Sequence, residues 1–172
     1  MYPDMLTIGH SARALEAFIA ILQENGAEWI ADVRSIPRSR HNPQFNRDAL
    51  PESLSEAGIG YSHMAGLGGF RKPRPDSPNT GWKNAGFRGY ADYMQTAQFQ
   101  HSLQTLLNFA KEKKVAVMCA EAVPWRCHRS LIADSLVVRT HHKSDTYTRS
   151  RGEHSARPYR WGESGGRTNY LS

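Results

Sequence analysis

What the chain has little of narrows the field first. No stretch approaches the roughly 18 consecutive apolar residues of a membrane span, and the N-terminus has no basic-then-apolar signal region. Cysteine is scarce: Cys119 and Cys127 are the only two, too few for a disulfide scaffold. Without an export signal they are expected as thiols in a reducing cytoplasm. There are no internal repeats. A membrane protein, a secreted mini-protein and a coiled coil are therefore excluded. Hydrophobic residues make up 39%, slightly under the globular norm, and the shortfall is local.

The 172 residues suit one domain of ordinary size, long enough to build a core without staples. The net charge of +6 comes from 22 Lys and Arg against 16 Asp and Glu. An excess of that size suits anionic partners, though many small proteins carry it without binding any. Residues 1–139 hold 16 basic and 13 acidic residues, whereas residues 140–172 hold six and three. The charge is thus concentrated at the C-terminal end.

Short apolar runs alternate with helical periodicity, which predicts a single α/β domain over residues 1–139. It would be a mostly parallel sheet of about four to five strands flanked by helices. Strands are expected at residues 5–8, 29–33, 59–64 and 115–119. Helices are expected at 12–24, 47–57, 88–97, 98–112 and 126–138, the first capped by Ser11. Residues 70–87, with Pro73, Pro75, Pro78, Gly81 and Gly86, predict a long irregular loop of the kind that forms lids or mobile insertions. From 140 to 172 the periodicity stops, and the segment reads as a flexible, basic, polar tail.

In parallel α/β sheets ligands sit outside the carboxyl ends of the strands. The unusual polar residues of this chain follow its strands. Gly9, His10 and Ser11 follow the first, and Asp32, Arg34 and Ser39 the second. His63, Gly68 and Gly69 follow the third, and Cys119, Glu121, Arg126, Cys127, His128 and Arg129 the fourth. If the strands are parallel, these groups converge on one rim. Each also has a plainer reading. Gly9-His10-Ser11 suits a tight turn and a cap, and Gly68-Gly69 a turn. Asp32 suits either catalysis or the holding of loop amides. Arg34, Arg38 and Arg40 suit either a solvated loop or an anion site. Both cysteines suit small buried hydrophobes, against which Glu121 and His128 argue, being costly to bury without purpose.

Cys119 to Arg129 leaves a strand and enters a helix, where an N-terminus and flanking arginines favour an anion and a thiolate. The cysteine phosphatase loop has five residues between its Cys and Arg. Cys119 and Arg126 have six between them and no glycine, so that motif fails. Zinc would need four ligands with a close cysteine pair, and seven residues separate these two.

Thr7-Ile8-Gly9-His10-Ser11, Asp32-Val33-Arg34 with Pro37 and Ser39, Leu67-Gly68-Gly69, and Cys119-Ala120-Glu121 followed by Cys127-His128-Arg129 together resemble the DUF488 family, over about residues 5–138. The resemblance implies an α/β domain with those positions in one site, and it implies no activity. Members of that family usually follow the last helix with a short strand. Here Leu136-Val137-Val138-Arg139 runs into Thr140-His141-His142-Lys143 and the polar segment, a departure that a changed reading frame near residue 140 would produce.

The first expectation is an enzyme acting on an anionic, phosphate-bearing substrate, a nucleotide or nucleic acid. Arg34 and Arg129 would clamp the anion, and Gly9, Ser11, Ser39, Gly68, Gly69 and Arg126 would help bind it. Cys119 or Cys127 would be the nucleophile, His10 or His128 the acid/base, and Glu121 or Asp32 its orienter. The alternatives are a non-catalytic nucleic-acid module using Phe70, Trp82, Phe87 and the tail, and a metal protein using Cys119, Cys127 and His128. No cofactor follows from the sequence.

Overall fold

The computed structural model describes residues 5–140 and 169–171. Five strands, β1 (Leu6–Gly9), β2 (Trp29–Asp32), β3 (Gly60–His63), β4 (Val115–Cys119) and β5 (Asn169–Leu171), form one sheet in the order β3-β2-β4-β1-β5. Every pairing is parallel, so all strands end at the same edge. The helices are α1 (Leu15–Glu24), α2 (Leu50–Glu56), α3 (Ala85–Met94), α4 (Ala97–Glu112) and α5 (Arg129–Thr140). Among the described residues no helix is long and apolar enough to cross a membrane.

Strand alternation sorts side chains between two cores. Leu6, Ile8, Ile30, Ala116 and Met118 pack with Phe18 and Leu22 of α1 and Leu50 and Leu54 of α2. Ala31, Val33, Val115, Val117 and Cys119 pack on the other face with residues of α3, α4 and α5. The sheet is covered on both sides, as a parallel sheet requires.

Several expected boundaries shift for physical reasons. Ser11 is not the cap of α1. Its amide donates to the Ala120 carbonyl at 2.9 Å, and at φ 50° its backbone lies in the left-handed region. The helix begins later, at Leu15, with no side-chain cap. The α3 helix starts inside the expected loop, because the Asn84 side chain accepts from the Phe87 amide and caps it. Thr96 caps α4 in the same way. The last helix was expected from Arg126, but Pro124–Arg126 form a separate 3-10 turn. Extended backbone at Cys127 (φ −127°, ψ 145°) interrupts the chain before α5. The expected tail lies outside the described residues over 141–168. Its Asn169–Leu171 portion adds a strand beside β1, which the absence of periodicity did not predict.

Candidate active site

The strand-end residues do meet along one edge, but the sheet divides them between its faces. On the α1/α2 face, Asp32 and Arg34 form a buried, two-pronged ion pair. Arg34 Nε donates to Asp32 Oδ1 at 2.9 Å and Nη2 to Oδ2 at 2.6 Å. The Tyr61 hydroxyl donates to the same carboxylate at 2.7 Å. Arg34 also donates to the Phe45 carbonyl and, at 3.1 Å, to His10 Nε2. Burial and then the Asp32 charge push the Tyr61 hydroxyl upward, so it remains a donor.

His10 is fixed from both sides. Its Nδ1 lies 2.8 Å from the Ser11 carbonyl, which can only accept, so Nδ1 carries the proton and Nε2 receives Arg34. Its ring stacks on Phe45 with centroids 4.3 Å apart. Burial lowers its pKa to about 4, with the Arg34 cation acting in the same direction. His10, Asp32 and Arg34 are thus committed to one another. Arg34, expected as an anion clamp, spends its guanidinium on this lock.

The other face carries the thiols. Cys119 ends β4, and Cys127 returns to it across the intervening turn, with the two Sγ atoms 2.7 Å apart. His128 Nδ1 lies 3.5 Å from Cys127 Sγ, and its Nε2 donates to the Val33 carbonyl at 3.0 Å. That carbonyl fixes the tautomer and leaves Nδ1 toward the thiol. Tyr90 packs against the imidazole at 5.1 Å and anchors itself by donating to the Leu67 carbonyl. Gly69 passes so close to His128 that a Cβ there would overlap the ring.

Arg129 is fully buried and equally committed. Its Nε donates to Cys119 Sγ at 2.9 Å, Nη1 to Thr7 Oγ1 at 2.7 Å and Nη2 to the Glu121 carbonyl at 2.6 Å. It therefore serves the thiol pair and the loop rather than an outside anion. Gly9 permits that loop to approach, since a Cβ would collide with the Glu121 backbone.

Within the pair, Cys127 is the thiol shifted downward. A hydrogen bond from Cys119 holds its pKa well below the ordinary thiol value, aided by His128 and Arg129 against the cost of burial. Burial, followed by its bond to Cys127, pushes Cys119 upward. The two thiols are thus shifted in opposite directions.

Both thiols line a cleft of about 360 Å³, within the range of small-molecule sites. Glu121, Arg126 and His128 line it too, with Gly69, Phe70, Ile36 and the start of α3 opposite. Its rim is apolar, with Ile36 66% and Phe70 81% exposed. Arg126 makes no ion pair among the described residues. Ser39 lies elsewhere, its hydroxyl accepting from the Asn42 amide. Gly68 holds the loop, its carbonyl accepting from Arg71. Of the three rings expected to stack on bases, Trp82 and Phe87 stack on each other at 5.4 Å. Among the described residues no three His, Cys, Asp or Glu groups are arranged to hold a metal.

Some positions that hold the candidate site together carry no signal in the sequence. Tyr61, Phe45, Thr7 and Tyr90 look like ordinary core residues until their partners are known. Asn84 did carry a signal, a capping residue just before a helical stretch.

The family model described as "Domain of unknown function DUF488" matches residues 14–136. No curated protein matches the chain, and no solved structure does.

Proposed function

The chain belongs to the DUF488 family, a domain of unknown function, and from that premise, which fixes no reaction, we propose an enzyme in which the Cys127 thiolate attacks an anionic substrate held in the cleft. The observation that carries this reading is the contact of Cys127 with Cys119 and His128 on the cleft wall. A thiolate is the reactive form of cysteine, and one kept ionised near neutral pH beside an imidazole is the usual preparation for covalent catalysis. His128 Nδ1 serves as the acid/base, with the Val33 carbonyl orienting the ring. Arg126 meets the substrate's negative group, and Ile36 and Phe70 its apolar part. Such a thiol would work in a reducing compartment, and the cytoplasm is the natural one.

Alkylation tests this directly. Cys127 is expected to react with iodoacetamide along a titration curve well below the free-thiol value of about 8.5, while Cys119 stays unmodified at neutral pH. Inorganic phosphate should slow the reaction. Arg126→Gln should slow anionic iodoacetate several-fold while sparing neutral iodoacetamide. If both thiols titrate at the ordinary value and phosphate protects neither, the proposal fails. In that case the plainer reading, two packed core cysteines, holds.

A further inference from the structure

Attack on carbon or phosphorus needs one thiol, and this cleft has two. The second is no distant neighbour: Cys119 Sγ lies 2.7 Å from Cys127 Sγ, and both line the same cleft. They come from different elements, the end of β4 and the turn before α5, with a separate arginine assigned to the second sulfur. A second thiol against the nucleophile has a chemical use where a sulfur–sulfur bond is to be formed and broken. We propose that the substrate of this site is a disulfide, that Cys127 is the attacking thiol and that Cys119 is the resolving thiol. The inference rests on Cys127 as nucleophile and adds the substrate class.

The steps balance without any group the site lacks. Cys127 passes its proton to His128 Nδ1 and its thiolate attacks one sulfur of the substrate; the substrate S–S bond breaks, and the far half leaves as a thiolate that takes that proton from His128. The near half remains on Cys127 as a mixed disulfide. Cys119 then gives up its proton, which returns to His128, and its thiolate forms beside Arg129 Nε, 2.9 Å away. It attacks Cys127 Sγ, and the near half departs as a thiolate and is protonated in turn. The substrate gains two electrons and becomes two thiols, and the protein, having given up those electrons, ends as the Cys119–Cys127 disulfide. A small external dithiol restores the pair by the same exchange in reverse. Arg129 is a positioning residue here, since it acts on the resolving sulfur and does not touch the substrate.

The reagent 5,5′-dithiobis(2-nitrobenzoate) is a suitable probe, because each half carries a ring and a carboxylate, matching the apolar rim and Arg126. The chain's two cysteines make the count unambiguous. The full chain should release two equivalents of thionitrobenzoate and retain no adduct, its tryptic peptides joined through Cys119 and Cys127. Cys119→Ser, or Cys119→Ala where the serine is poorly tolerated, should release one equivalent and keep the other half on Cys127. The wild-type mass is decisive by itself. If wild-type protein keeps the adduct on Cys127, the resolving role is overturned while Cys127 as nucleophile stands. If neither thiol reacts faster than a free cysteine, both readings fall together.

Discussion

His10 and His128 each give one ring nitrogen to a backbone carbonyl, Ser11 in one case and Val33 in the other. What the second nitrogen meets separates them. For His10 it is the Arg34 cation, which opposes protonation of the ring. For His128 it is a sulfur. Replacing His128 with Asn should therefore move the Cys127 titration toward the free-thiol value near ~8.5. Alkylation at pH 6 should then slow by roughly tenfold for every pH unit the titration midpoint rises above 6. Gly69→Ala should do something similar from the cleft lining, because the added Cβ displaces the imidazole. Its overpacking should also cost about 1–3 kcal/mol of stability. The check is the alkylation profile of each variant alongside its denaturant midpoint. Unchanged profiles would mean that the imidazole does not influence the thiol.

At the level of elements, β2 and its following loop are tied down by one ion pair. Asp32 is completely buried, and Arg34 is 7% exposed. Asp32→Ala would leave the guanidinium buried without its carboxylate, a change expected to cost about 3–5 kcal/mol by chemical denaturation. A loss below about 1 kcal/mol would show that solvent reaches the cation. The strands that support this arrangement were legible in the sequence to within a residue or two, since β-branched and apolar runs such as Val115–Cys119 admit few other readings. Helix starts were less legible. The chain at Ser11 hydrogen-bonds across to Ala120, and Cys127 is extended between a 3-10 turn and α5, so tertiary contacts override the local capping signals. The candidate site was legible as a set of residue types but not as an arrangement. Asp32 sits opposite Met118, one residue before Cys119, and that offset sends the carboxylate and the thiol to opposite faces. Strand register is a property of the assembled sheet, and no local pattern in the chain encodes it.

For the molecule as a whole, α5 introduces a pH dependence. Burial raises the Asp134 carboxyl from 3.8 to about 6. The unfolded chain ionises this group first, so its favourable contribution is present below about 3.8 and is withdrawn as pH rises to about 6. Asp134→Asn fixes the uncharged form. The variant should match the wild type at pH 3.5 and become more stable through pH 4–6, with a constant gap above. That gap should be about 1 kcal/mol at most once solvent screening is allowed for, or about 2–4 °C in Tm. A gap that is the same at every pH would assign the effect to packing. The strand order has its own consequence. Because β4 lies between β1 and β2, those first two strands are not neighbours, and neither has its inner partner until the chain has been made past residue 119. A nascent chain emerging from the ribosome can therefore pair β2 only with β3, leaving β1 without a partner and closing the sheet late and over long loops. The thiol pair and its imidazole, which need β4, the Val33 carbonyl and the start of α5 together, are assembled only once that part of the chain is made.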